Sequence, residues 1–349
     1  MEKNSILHKT KKILVIRLDV LGDLILSTPF FRNLHENFKN ASVVALVREY
    51  TAGALKNNPN IDEILVYPEK ASLGEKLKFI SELRKRKFDF SISLSPITKS
   101  YLLSFLITGR KSFSYVYSGR FITELFAKLL IGNLPKLDIN GMLASGQKVP
   151  HEVVQTFTIL KSLGIDPVEY PLEIFVEEDS FKRADNILKE KNFTEKNIGL
   201  HLSAKWLTCD WTVENLADIV KNIAKKFADY GIILTYGIGS EADIAEKIKK
   251  YLSDIDDRVL ILGGMNFSDW AGVVSKCKVF VSTDTGALHC ATALKIPVVA
   301  VYESSTYDHC SEQWKPWMVE FKSIKKETPS EVSELAVSYI DFLLKSKEG

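Results

Sequence analysis

The chain has 349 residues, about 2.3 times a common domain length, so two domains are expected rather than one core. With 46% hydrophobic and 26% charged residues it is not a disordered chain, and no run of 18 apolar residues offers a spanning helix. The net charge of +2 hides an asymmetry: residues 1–150 carry 23 Lys and Arg against 13 Asp and Glu, and residues 151–349 carry 23 against 31. A basic first half suggests an anionic partner: nucleic acid, a membrane surface or a phosphorylated substrate. A solvated basic surface accounts for it equally well.

Residues 1–12 are polar and lack an apolar h-region, so a secretory signal is not expected. Short β-branched runs then alternate with longer amphipathic stretches, the pattern of βαβ units and parallel sheets. Strands are predicted at 12–18, 42–47, 64–67 and 90–94, with helices after the first strand to about Phe38 and over 73–87. Residues 99–148 differ in character. They hold seven basic and two acidic residues among many aromatic and aliphatic ones, including Arg110, Lys111 and Arg120. An apolar surface edged with Lys and Arg suits an interfacial segment; a pair of core helices with a basic rim fits as well.

A helix over 151–163 ends at Gly164, a C-cap residue type, and 166–179, with Pro167 and Pro171, reads as a linker. The alternation restarts with strands at 198–202, 231–236, 259–262, 279–282 and 298–302, and helices over 212–227 and 242–252. A last helix over 329–344 has a capping pattern at Ser330, Ser333 and Glu334. The fold class is therefore α/β with two successive Rossmann-like domains. Their predicted bounds are 1–170 and 171–328, followed by a terminal helix over 329–349.

Three strand–loop–helix junctions carry candidate chemistry, because open α/β sheets bind ligands beyond the carboxyl ends of their strands. In the first, Arg17-Leu18-Asp19-Val20-Leu21-Gly22-Asp23, Asp23 opens a helix and is either a working carboxylate or a plain N-cap. In the second, Ser282-Thr283-Asp284-Thr285-Gly286-Ala287-Leu288-His289, small residues open a helix whose N–H groups suit a phosphate. The third runs from Gly199 through Ser203 and Lys205 to Trp211 and Thr212, an N-cap residue type, with Lys205 a phosphate contact or an ordinary surface lysine. A glycine turn, Tyr236-Gly237-Ile238-Gly239-Ser240-Glu241, is too short a signal to assign. Cys209, Cys277, Cys290 and Cys310 lack CxxC spacing and read as reduced thiols, and the His289-Cys290 and His309-Cys310 dipeptides do not make a metal site.

In this order the blocks resemble glycosyltransferase family 9, the ADP-heptose:lipopolysaccharide heptosyltransferases. The resemblance runs from about Lys11 to Tyr302 and is most specific in the Asp284-Thr285-Gly286-x-x-His289 block. It implies a GT-B architecture, two Rossmann-like domains facing a cleft, with the terminal helix packing back on the first. It further implies an inverting enzyme without a cofactor or metal, moving heptose from ADP-heptose to a phosphorylated glycolipid of the lipopolysaccharide core. Such an enzyme would be cytoplasmic and peripheral to the inner membrane, with no nucleic-acid partner.

By resemblance Asp23 is the general base, and Ser203, Lys205, Asp284, Thr285, Gly286 and His289 bind the donor. Arg110, Lys111 and Arg120 are assigned to the acceptor from the basic stretch. One departure stands out: where many members carry a donor-phosphate lysine, two residues before the tryptophan of the middle block, this chain has Cys209. Lys205 is the candidate substitute. Transfer to a protein acceptor, or a non-catalytic nucleotide-sugar-binding relative, are the alternatives. Asp254-x-Asp256 matches a DxD pattern but reads as an acidic turn.

Overall fold

The computed structural model describes residues 9–346, so most of the polar segment 1–12, where no secretory signal is expected, lies outside the described residues. The chain forms two compact units that divide between Glu173 and Ile174.

The first unit is built on a parallel sheet of β1 (Lys12–Arg17), β2 (Ser42–Val47), β3 (Glu63–Val66), β4 (Phe90–Ser93) and β5 (Ser112–Phe113). The spatial order is β3-β2-β1-β4-β5. Strand β1 is buried from Ile13 to Arg17 on both faces, which is why its sequence is a continuous apolar run rather than an alternation. It pairs with β2 in the register Ile13↔Val43 and with β4 in the register Ile13↔Phe90. The chain thus leaves β1 in one direction and returns on its other side, creating a switch point beyond the ends of β1 and β4. A small parallel pair, β6 (Val116–Tyr117) and β7 (Lys136–Leu137), escaped the sequence because two-residue strands carry no period.

The second unit contains β8 (Asn197–His201), β9 (Gly231–Tyr236), β10 (Val259–Gly263), β11 (Val279–Thr283), β12 (Val298–Glu303) and β13 (Phe321–Lys326). All pair in parallel in the order β10-β9-β8-β11-β12-β13, the Rossmann order. Its switch point lies between β8 and β11. Gly199 is required there: a Cβ on it would lie 2.4 Å from the Phe280 ring and 2.7 Å from the Cys277 Sγ.

Three expectations need correction. The terminal helix, Pro329–Lys345, is capped by Thr328 in a reciprocal pair with Glu331, so Ser330 and Ser333 lie inside it. Its apolar face, Val332, Ala336, Ile340 and Leu343, lies in the second unit's core with Val220, Ile223 and Ile324, rather than being given to the first domain. The segment read as linker also runs directly into a helix, Glu178–Glu190.

Candidate active site

At the first switch point the side chain of Arg17 ends β1 with its guanidinium buried, 2% exposed. Asp19 Oδ2 lies 3.1 Å from its Nε, Glu152 Oε1 accepts from Nη2 at 3.0 Å, and Asp23 Oδ1 lies 3.5 Å from the same nitrogen. A further guanidinium N–H donates to the Leu94 carbonyl at the end of β4. Ser95 ties the two strand ends together, accepting from the Leu18 N–H at 2.9 Å and donating to Asp19 at 2.7 Å. Tyr115 donates to Glu152 at 3.3 Å.

Three carboxylates therefore share one arginine. Asp23 stands at the third position of the helix Leu21–Leu26, whose N-cap residue is Val20, and its carboxylate accepts from the Val20 backbone N–H. That disposes of the plain N-cap reading. Burial pushes the Asp23 carboxyl up to about 7, against the pull of Arg17, and the charges of Glu152 and Asp19 add to the rise. Its side chain is still 24% exposed and so accessible to a substrate. A carboxylate that gains its proton near neutrality, open to solvent and held by a fixed cation, has the properties of a general base.

At the second unit's switch point, Ser203 follows β8 and Asp284 follows β11. The hydroxyls of Ser203 and Thr283 hydrogen-bond at 2.5 Å, joining the two strand ends. Lys205 donates to the Asp284 carbonyl and lies 3.2 Å from its Oδ2, so the middle block and the late block meet. Burial raises the Asp284 carboxyl above its ordinary value, and Lys205 opposes the rise. Thr285, in an extended conformation, precedes the helix Gly286–Ala293 and provides no side-chain cap to its first turn. Its hydroxyl instead faces back to the Thr283 carbonyl at 3.3 Å and to Ser282 at 3.2 Å. An uncapped helix start with a partly exposed Gly286 is the geometry that receives an anion. His289 lies one turn in and is buried.

Sequence reasoning missed the floor of this region. Lys326, at the end of β13, is almost wholly buried and donates to the carbonyls of Lys205 at 2.8 Å and Thr208 at 3.0 Å, to the Thr208 hydroxyl, and to Glu303 at 3.1 Å. Its ammonium lies 5.0 Å from the Trp211 ring centre, and Trp211 stacks on Trp206. Glu303 also accepts from Thr208 and, at 3.5 Å, from the Cys209 thiol. Cys209 and Asp210 both adopt left-handed backbone conformations, φ 56° and 64°, which cost non-glycine residues roughly 1–2 kcal/mol each. The Lys326 anchor and the tryptophan stack hold that strained turn. Nearby, Glu241 accepts from the Gly237 N–H at 2.7 Å and lies 3.3 Å from His201, so the glycine turn is also tied to the end of β8.

The predicted acceptor residues surround the helix Phe121–Leu130. Arg110 donates to the Lys128 and Leu129 carbonyls and so closes the C-terminus of the helix Phe121–Leu130. Arg120 opens the same helix with its guanidinium 5.0 Å from the Tyr117 ring centre, and Lys111 is exposed. Arg110 and Arg120 thus stand at the two ends of that helix, and Lys111 adjoins Arg110 in the chain. The four cysteines are free, and among the described residues no three His, Cys, Asp or Glu side chains gather as metal ligands. Asp254 pairs with Lys221 at 2.8 Å, as an acidic surface turn does.

Glycosyltransferase family 9 (heptosyltransferase) matches residues 76–336, three-quarters of the chain. The chain belongs to this family and is a glycosyltransferase. It is 24% identical to lipopolysaccharide heptosyltransferase 1 of Campylobacter coli over 298 residues, 83% of each chain. A family 9 glycosyltransferase from Veillonella parvula superposes with a TM-score of 0.80 at 19% identity, over 97% of this chain and 98% of that one. The E. coli ADP-heptose lipopolysaccharide heptosyltransferase II superposes with a TM-score of 0.73 at 20% identity, over 97% and 100%. The two Rossmann-like sheets of this family 9 chain are those of the GT-B fold.

Proposed function

We propose that this glycosyltransferase moves heptose from ADP-heptose to a lipid-linked lipopolysaccharide core acceptor, with inversion and without a metal ion. The acceptor is taken by the first unit and the donor by the second. The observation that carries this reading is Asp23, a solvent-accessible carboxylate pushed up to about 7 at the first switch point.

Asp23 takes the proton of the attacking acceptor hydroxyl. The freed oxygen forms its bond to the anomeric carbon from the side opposite the diphosphate, and the bond from that carbon to the diphosphate oxygen breaks. One displacement inverts the centre. As Asp23 becomes neutral, Arg17 is left with two carboxylates instead of three, so proton uptake relieves repulsion in the cluster. The departing ADP gains negative charge, which the start of the helix Gly286–Ala293 and the Lys205 ammonium stabilise. Asp284, already bound to Lys205, orients that ammonium and accepts from a sugar hydroxyl; Ser203, Thr285, Gly286 and His289 complete the donor site. Names of the relatives support the choice of donor and acceptor: one superposed enzyme is named for ADP-heptose and lipopolysaccharide. The acceptor's lipid places the enzyme at the inner face of the cytoplasmic membrane, where the basic segment with Arg110, Lys111 and Arg120 serves the acceptor side.

Cys209 favours a second reading, a nucleotide-sugar-binding protein that has lost catalysis. Calorimetric titration of ADP-heptose, with turnover measured in parallel on a core acceptor, separates the two. Binding with transfer, and transfer abolished by Asp23→Asn, is the expected result. Binding without transfer by the unaltered chain supports the second reading.

A further inference from the structure

We infer that the helix Phe121–Leu130 is a membrane-docking element whose apolar face lies in an anionic lipid surface. The inference deepens the reading of a lipid-linked acceptor and rests on it. The helix is built the wrong way round for water. Phe121, Ile122, Leu125, Phe126 and Leu129 are 43–78% exposed. At 3.6 residues per turn they form one stripe about 140° wide. The opposite side turns Ala127 fully into the protein, and Glu124 is 17% exposed, paired with Lys128 and Lys136. A helix of a soluble domain buries its large apolar stripe and exposes its charges. Here the small and acidic residues face the protein and the aromatic and aliphatic ones face outward. The adjoining helix Thr98–Thr108 extends the surface with the exposed side chains of Leu102 and Phe105.

Charge identifies the occupant. Arg110 and Arg120 stand at the two ends of the helix, Lys111 follows Arg110, and Lys128 and Lys136 flank the side, so the apolar stripe has a basic border. Residues 99–148 hold seven basic and two acidic residues. A second copy of the chain would bring an equally basic border against this one, whereas anionic headgroups neutralise it while their acyl chains accept the apolar stripe. Arg110, on the acceptor side in the proposed function, also fixes the helix end that this surface needs.

The test is flotation of the full chain with vesicles of equal parts phosphatidylcholine and phosphatidylglycerol, beside vesicles of phosphatidylcholine alone. Partition should favour the anionic vesicles at least tenfold and weaken in high salt. The double variant Phe121→Asp/Leu125→Asp should lose at least tenfold in partition, keep its melting temperature, and keep transfer to a delipidated, water-soluble acceptor. Flotation of that variant equal to the unaltered chain overturns the proposal. So does a dimer in sedimentation that the substitutions dissociate, with no vesicle binding by the unaltered chain. Vesicle binding lost in the variant, with no transfer to any acceptor by either protein, supports the docking surface and overturns the heptosyl-transfer reading instead.

Discussion

The Arg17 guanidinium lies 3.5 Å from the Asp23 carboxylate while also holding Glu152 at 3.0 Å. One buried cation thus serves several acids, and the most accessible of the strand-end pair Asp19 and Asp23 is pushed up to about 7. The carboxylate must be ionised to accept a proton, so kcat/KM should fall tenfold per pH unit below 7 and level off above it. Asp23→Asn should lower turnover by about 10²–10⁴-fold with donor affinity unchanged. A flat profile between pH 5 and 8, measured with saturating donor, counts against Asp23 as the base.

Glu152 adds to the rise at Asp23. In Glu152→Gln the Tyr115 and Arg17 hydrogen bonds can persist while one charge is removed. The Arg17 charge then favours ionised Asp23 more strongly, and the acid limb of the rate profile should move to lower pH, by about half a unit to one unit. A limb that moves upward or stays in place contradicts the shared-arginine account.

Lys205 reaches Asp284 while remaining half exposed, so its loss should spare the fold. In the mechanism it faces charge that develops on the departing diphosphate. Lys205→Met should therefore cost about 2.7–4 kcal/mol of transition-state stabilisation, roughly 10²–10³ in kcat. Single-turnover kinetics with bound donor measures it; a loss below threefold would show that Lys205 does not replace the lysine absent at Cys209.

Lys326 presents the opposite case, a buried cation that touches protein only among its described partners. Lys326→Met would take the cation from Glu303 and one donor from each of two carbonyls, at a cost of about 3–5 kcal/mol in unfolding free energy. Urea unfolding monitored by tryptophan fluorescence reads this directly, since Trp206 and Trp211 pack at the anchored turn. An unchanged midpoint would show that the turn at Cys209 and Asp210 is held by other contacts.

The parallel sheets and the three junctions were legible in the sequence because buried strands leave continuous apolar runs and helix starts carry small or acidic residues. Arg17 was not, since it ends such a run and its partner Glu152 lies 135 residues away. Strand β13 escaped because FKSIKK mixes three lysines into a run with one buried apolar residue, Ile324. Periodicity also shows that a helix has an apolar stripe without showing what the stripe meets. The terminal helix spends its stripe in the second unit's core, and Phe121–Leu130 turns its own outward. Asp23 was singled out by its place after β1; its raised affinity for a proton depends on burial, on charges in its own junction and on Glu152 from a distant helix.

The central claim is transfer with inversion by Asp23, and the anomeric configuration of the product tests it most directly. ADP-heptose of defined configuration and a panel of lipid A-core acceptors should yield, by NMR, a glycoside of the opposite anomeric configuration, with no product from Asp23→Asn. A product that retains the donor's configuration, or one that Asp23→Asn forms at the unaltered rate, contradicts the mechanism.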